Sequence, residues 1–335
     1  MDLVTGGTGL VGSHLLMELA RAGRPVRAIH RAGSDLQRVR RLFAWYGPEL
    51  AMAWDAIQWV EAELSDLPAL EAALAGASRV YHCAGLISFD PSDRNQLLKT
   101  NFEGTRNVVN CCLGLGIKQL CHVSSIATIG GKLGSGKEED PWDPQRTNVY
   151  ATSKYLAEME AWRGGQEGLE VAIVNPGVVL GPGSYDSGSG RLIAAAGNGL
   201  RYYPPGGTGF VGVGDVVRAM ILLMDGGHFN NRYLLVGNNL SYREILGQIA
   251  GVLEVRAPEK PLKYWQMNFL RPLDWLASHI SGRKRRLTGA QIRSFRNPKQ
   301  FDNGKILKTL GGFQFTDIRD ILEICGRHYR ETANS

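Results

Sequence analysis

Short apolar runs alternate with longer amphipathic ones through the first half of the chain. The pattern predicts strands over 2–5, 25–30, 58–61, 79–83, 119–124 and 171–175. It predicts helices over 11–22, 67–75, 97–115 and 149–163. The strands are short and carry apolar residues at their centres. Strand alternating with helix predicts an α/β fold, a doubly wound parallel sheet covered by helices on both sides. Beyond residue 180 the pattern loosens. Residues 181–190 are rich in glycine and serine and predict a mobile loop, 215–223 a helix and 233–236 one more strand. From about 241 the chain reads as helices separated by proline-containing turns.

Composition narrows this. The 335 residues are 44% hydrophobic and 21% charged, an ordinary globular balance for one large α/β unit or a nucleotide domain with a smaller partner. No apolar run reaches the roughly 18 residues of a membrane span, and Met1–Val4 run directly into a glycine turn. A cytoplasmic protein without a signal peptide is expected. Cys83, Cys111, Cys112, Cys121 and Cys325 form no Cys-x-x-Cys pair. They read as reduced thiols, all but Cys325 in apolar surroundings, and no ligand spacing implies a metal. The net charge of +6 favours anionic ligands. Its basic runs, Arg38/Arg40/Arg41 and Arg283–Arg286, lack interleaved aromatics and read as solvated surface, so no nucleic-acid partner is expected.

Chemistry enters at Thr5-Gly6-Gly7-Thr8-Gly9-Leu10-Val11-Gly12, between the first strand and the first helix. Glycines at 6, 9 and 12 permit a tight turn, close approach of backbone to a pyrophosphate, and packing of helix on strand; the helix start then offers free N–H groups to phosphates. A dinucleotide is the ligand this context implies. The second strand ends in His30-Arg31-Ala32-Gly33-Ser34, where an acid would hold ribose hydroxyls. Arg31 suits a 2′-phosphate instead, so NADP(H) is the expected cofactor, with NAD(H) left open by Asp35.

Tyr150 and Lys154 lie four residues apart on one helix face. A phenol titrating near pH 10 is a poor acid-base at neutral pH, and a neighbouring ammonium stabilises its phenolate. Such a pair can pass a proton to or from an alcohol oxygen. Val123-Ser124-Ser125, at the preceding strand end, offers a hydroxyl to hold a carbonyl.

Taken with these, His82-Cys-Ala84-Gly85, Asn101-Phe-Glu-Gly-Thr105 and Asn175-Pro176-Gly177-Val178-Val179-Leu180-Gly181-Pro182-Gly183 stand in one order, and over about residues 1–240 the chain resembles the extended short-chain dehydrogenases/reductases. The resemblance implies a Rossmann sheet (1–180, completed by about 207–238) with a smaller, mostly helical C-terminal substrate domain (181–206 and 239–335). It implies Tyr150 as general acid-base, Lys154 tuning it and binding the nicotinamide ribose, and Ser125 orienting the substrate oxygen. For the cofactor it implies Gly6, Thr8, Gly9, Leu10, Val11, Gly12, Arg31, Ala84, Gly85, Asn101, Val123, Ser124 and Pro176–Val179. Glu63-Leu64 stands where the family has Asp-Leu near adenine, and Asn175 where many members carry arginine. A homodimer is also implied.

Within the family the chain looks nearer to dihydroflavonol-reductase-like and 3β-hydroxysteroid-dehydrogenase-like members. Leu86-Ile87-Ser88-Phe89 is apolar, and the stretch from Tyr264-Trp265 to Trp275-Leu276 is aromatic and amphipathic. They suggest a pocket for an apolar ketone, aldehyde or secondary alcohol, with Ile87, Phe89 and Tyr185 touching it; ordinary core packing is the competing reading. A sugar-nucleotide epimerase or dehydratase with retained NAD, and a non-catalytic nucleotide-binding protein, are the alternatives. A docking role for 264–286 on anionic membrane is set below a packed helix with a basic end, and no membrane partner is expected.

Overall fold

The computed structural model describes residues 1–130, 135–281, 288, 289, 292, 295 and 300–333; the basic run Arg283–Arg286 lies outside the described residues. The expected strands assemble into one seven-stranded sheet. From edge to edge it runs Asn231–Leu235, Glu170–Pro176, Gln119–Val123, Arg79–His82, Asp2–Thr5, Val26–His30, Ile57–Glu61. Every neighbouring pair is parallel.

The chain begins in the middle of this sheet, winds outward through two strands, then returns to pair Arg79–His82 on the other side of Asp2–Thr5. Thr5 lies in register with His82 at that reversal. A crevice outside the carboxyl ends of the strands at such a switch point is where open α/β sheets bind ligands.

Successive residues of a strand face opposite ways. Val4 packs under Leu15, Leu16 and Leu19 of the helix Leu10–Arg21 and near Val216 and Met220 of the helix Val213–Asp225. Leu3 packs on the other side with Leu70, Leu74, Val108 and Ala161. Each fully buried leucine or valine contributes about 1.5–3 kcal/mol relative to an exposed one, so these two layers fix the sheet that carries the site.

A smaller unit stands at the crevice edge. Asn238–Ser241 pairs antiparallel with Gly207–Gly212, which pairs parallel with Val178–Leu180. The helices Gly190–Gly197, Tyr242–Val252 and Ile318–Ala333 bring Ile193, Ile245, Ile249, Ile321 and Leu322 into its core. Its strands Val178–Leu180 and Gly207–Gly212 fall in the ranges expected for the Rossmann part but pair with each other outside the seven-stranded sheet. A side chain at Gly207 would lie 2.4 Å from the Leu240 oxygen, so glycine stands there for close approach of backbones and reads in sequence as loop. Cys325 is buried in this core as a free thiol. The glycine-serine loop is anchored by Tyr185, whose hydroxyl donates to the Cys325 carbonyl at 3.0 Å and lies 2.8 Å from His328 Nδ1. No described helix is long and apolar enough to cross a membrane.

Candidate active site

At the switch point Gly6 has φ +69°, a left-handed conformation natural only to glycine. A Cβ there would lie 2.6 Å from the Ala84 nitrogen, and one at Gly12 2.2 Å from the Gly6 oxygen, so turn, helix and neighbouring strand are in backbone contact. Gly9 is exposed and caps the helix Leu10–Arg21 without a side-chain hydrogen bond. The helix therefore presents unfilled N–H groups to the crevice, as a pyrophosphate site requires. Thr8 and Val11 are half-buried beside it, and Leu10 reaches the loop at Gly181 and Gly183.

A buried hydrogen-bonded chain forms the crevice floor. Thr105 Oγ1 donates to the Asn101 carbonyl at 2.6 Å and therefore accepts from His82 Nε2 at 2.9 Å. His82 Nδ1 then accepts from Thr5 Oγ1 at 2.7 Å, and Thr5 accepts from the Ala84 N–H at 3.2 Å. Burial, with Lys154 nearby, lowers the His82 imidazole to about 3, so it stays neutral and serves as a relay of fixed tautomer. Asn101 sits in a widened π-helical turn, Leu98–Glu103. Its side chain accepts from Leu86 N at 2.7 Å and donates to Leu86 O at 3.0 Å and Ser153 Oγ at 2.8 Å. Asn101 thereby fixes the loop after Gly85 to the helix that carries Tyr150.

That helix, Val149–Gln166, starts at Asn148, whose side chain accepts from Ala151 N. Tyr150 lies in its first turn and is half-buried. Burial pushes its phenol up, and a hydrogen bond from Ser125 pulls it back. Ser125 also accepts from Ala127 N at 3.1 Å, which holds its hydroxyl at the strand end. One turn on, Lys154 is buried and donates from Nζ to the Val123 carbonyl at 2.7 Å. Burial lowers its ammonium to about 8, against partial support from Glu158 and Cys83. A Cβ at Gly85 would stand 3.9 Å from Lys154 Nζ, so the Gly85 backbone lies near the amine.

A further turn along the same face, Glu158 is fully buried. Its Oε2 accepts from Ser124 at 2.5 Å, Thr128 at 2.8 Å and Asn175 at 2.8 Å, and its Oε1 accepts from Arg232 at 2.9 Å. Ser124 is thus committed to Glu158. Asn175, on its strand, turns an amide to the same carboxylate, and the cation comes from the next strand. Sequence reasoning missed Glu158 and Arg232. The four-residue step from Lys154 to Glu158 was a signal; nothing local marks Arg232.

The strand ends opposite hold the residues proposed for the adenosine half. Arg31 is exposed beyond Val26–His30. Asp35 caps the helix Leu36–Tyr46 by accepting from Arg38 N and stands 3.9 Å from Arg41, so its charge is already engaged. Arg38, noted only as part of a basic run, reaches back to the Thr8 carbonyl at 3.4 Å, which sets a second guanidinium against the glycine turn. Glu63 is exposed; Leu64 packs on Gly104, and its carbonyl accepts from Asn107.

On the other flank, a Cβ at Gly177 would meet the Gly209 oxygen at 2.5 Å, so the Pro176–Gly177 corner lies against the small sheet and leads into Val178 and Val179. Ile87 and Phe89 are exposed, and the Phe89 ring meets Tyr150 edge-on at 5.5 Å. Phe89 also lines a cavity of about 280 Å³ with Arg94, Leu98 and Val149. Tyr185 is spent on the C-terminal helix, with its hydroxyl on the Cys325 carbonyl and its ring against His328 and Tyr329. The aromatic helix Tyr264–Ser281 is not packed as expected: Met267 is buried, but Trp265, Phe269, Leu270 and Leu273 are exposed. Among the described residues no group of His, Cys, Asp and Glu could hold a metal ion.

The crevice therefore fits a dinucleotide: a glycine cradle that side chains would fill, a helix start without a cap, and a buried amine near a glycine backbone. Comparison with known proteins agrees. Residues 3–235 match the model of the NAD dependent epimerase/dehydratase family. The chain is 32% identical over 250 residues to a sterol demethylase protein B of Methylococcus capsulatus, covering 73% of this chain and 72% of the relative. It is 28% identical to a dihydroflavonol 4-reductase of Hordeum vulgare, covering 77% and 75%. The dTDP-glucose 4,6-dehydratase DesIV of Streptomyces venezuelae, solved with NAD and TYD bound, shares the fold at a TM-score of 0.76 and 21% identity, covering 99% of this chain and 98% of that one. The protein belongs to the NAD dependent epimerase/dehydratase family and is an enzyme of NAD(P)-dependent chemistry at hydroxyl and carbonyl groups.

Proposed function

We propose that the protein is an NADPH-dependent reductase of an apolar ketone or aldehyde, or in reverse an alcohol dehydrogenase. The observation that carries this is the placing of Tyr150 one turn before the buried Lys154 on one helix, with Lys154 tied to the strand that ends in Ser125 and the Phe89 ring edge-on to Tyr150. Ser125 and Tyr150 together can bind one carbonyl oxygen. As that oxygen gains charge, the phenol passes its proton to it and Ser125 keeps it in place. Lys154 supplies positive charge to the phenolate that remains and lies where a ribose hydroxyl would be held. The cofactor, when bound, supplies the hydride. Gly6, Gly9 and the start of the helix Leu10–Arg21 would hold its pyrophosphate, with Arg31 and Arg38 on a 2′-phosphate. Phe89, Ile87, Val178 and Val179 keep the carbonyl end apolar and exclude water. Residues 181–206 and 239–335 form the substrate side in this reading.

A sugar-nucleotide epimerase or dehydratase is the second reading, supported in fold by the dehydratase likeness. The two differ in what the purified protein carries. A panel of aryl, flavonoid and steroidal carbonyls, followed at the NADPH absorbance band with either cofactor, is expected to show NADPH oxidation. Tightly copurifying NAD with turnover of a UDP- or GDP-sugar would overturn the reductase reading.

A further inference from the structure

The helix Tyr264–Ser281 carries an apolar stripe that the fold leaves outside. Trp265, Phe269 and Leu273 recur every four residues and are 65%, 67% and 52% exposed, with Leu270 beside them. Met267, on the inner side, is fully buried, so the helix is seated on the protein by one face and presents the other. Monomeric proteins rarely expose so many large apolar groups together unless something covers them.

Charge says what covers them. Residues 260–301 hold ten lysines and arginines and a single carboxylate, Asp274, whereas the rest of the chain has more acids than bases. The whole positive excess of the protein is gathered in this one segment. Lys260, Lys263 and Arg271 are exposed around the apolar stripe. The seven bases from Arg283 to Lys299 lie outside the described residues and enter as charge in the chain.

We propose that this helix lies in the interface of an anionic lipid bilayer, with Trp265, Phe269, Leu270 and Leu273 seated among the headgroups and upper acyl chains and Lys260, Lys263 and Arg271 on the lipid phosphates. An amphipathic helix with aromatic and aliphatic side chains on one face and lysine and arginine around it binds a membrane surface in this way, without crossing it. A nucleic acid fits less well. Leucines gain nothing from a phosphate backbone, and base stacking uses aromatic faces rather than an aliphatic-aromatic stripe. A second copy of the chain would bring two strongly cationic surfaces together.

The test is sedimentation of the full-length protein with vesicles of phosphatidylcholine, with and without phosphatidylglycerol. The expected result is binding that requires phosphatidylglycerol and weakens with salt. Trp265→Ser with Phe269→Ser should weaken it by about tenfold or more, and Lys263→Gln with Arg271→Gln should weaken it in the same direction. Both variants alter surface or charge alone, and unchanged circular dichroism and melting temperature verify that they fold. Tryptophan fluorescence should shift to the blue on binding in the parent and not in the Trp265 variant. Failure to bind phosphatidylglycerol vesicles, equal binding to phosphatidylcholine alone, or parental binding by the folded variants overturns the proposal. So does a concentration-dependent dimer that Phe269→Ser abolishes, which would make a second copy the occupant.

Discussion

Lys154 Nζ donates to the Val123 carbonyl at 2.7 Å, which ties the amine to the strand whose next residues are Ser124 and Ser125. Burial weakens the ammonium, and in the protein it titrates at about 8 rather than 10.5. Below that pH it is charged; above it, neutral. The cofactor-free protein should therefore show one lysine titrating near 8 by NMR of labelled lysine, absent in Lys154→Met. Because the folded form holds this proton less tightly than the unfolded form, the parent should gain stability relative to Lys154→Met as pH rises from about 8 to 10.5. A lysine signal that stays near 10.5 would contradict the burial argument.

The buried histidines act in the opposite pH range. Burial lowers His14 to about 4 and His82 to about 3, and it lowers His122, stacked on His82, well below the ordinary imidazole value. All three are neutral in the fold and protonate on unfolding. Stability should be fully present above pH 6.5 and fall as pH drops below it, by about 1.4 kcal/mol per pH unit for each histidine. Urea unfolding at pH 6.5, 6 and 5.5 should show this slope, and His14→Gln should remove about one proton from it. A flat profile would mean that these side chains charge in place.

Glu158 and Arg232 form a buried pair whose cation no local pattern announces. Removing one partner leaves a buried charge and frees Ser124 and Thr128 beside Ser125. Glu158→Gln should cost about 3–5 kcal/mol in urea unfolding. The double variant Glu158→Gln/Arg232→Met should cost less than the sum of the singles by at least about 1 kcal/mol. Additive losses would show that the two side chains are not energetically coupled.

Arg31 and Arg38 are expected to distinguish NADPH from NADH. Each charge-assisted contact to a 2′-phosphate is worth about 1.5–3 kcal/mol. Arg31→Ala and Arg38→Ala should each raise KM for NADPH by about 10- to 100-fold and leave KM for NADH within about twofold. Equal losses with both cofactors would remove these residues from the argument.

The sheet and the Tyr150/Lys154 pair were legible because their signals are local: apolar runs of strand length, and a four-residue step on one helix face. What tertiary contact decides was not. Gly207–Gly212 is a strand whose glycines make room for the Leu240 backbone and for the Val236 and Ile321 side chains, so its sequence resembles a loop. The amphipathic pattern of Tyr264–Ser281 was visible, but not which side would pack, and the structure turns Met267 inward and the aromatics outward. Arg38 was seen only as charge, although Val39, Leu42 and Phe43 at helical spacing were available to place it on a helix facing the glycine turn.

The central claim is that Tyr150, with Ser125 on the substrate oxygen, moves the proton. Turnover and NADPH affinity should be measured together for Tyr150→Phe. NADPH binding should stay within about threefold of the parent while kcat falls by about 10²–10⁴, the usual worth of a positioned acid-base. Parental kcat in a variant that still binds NADPH would contradict it.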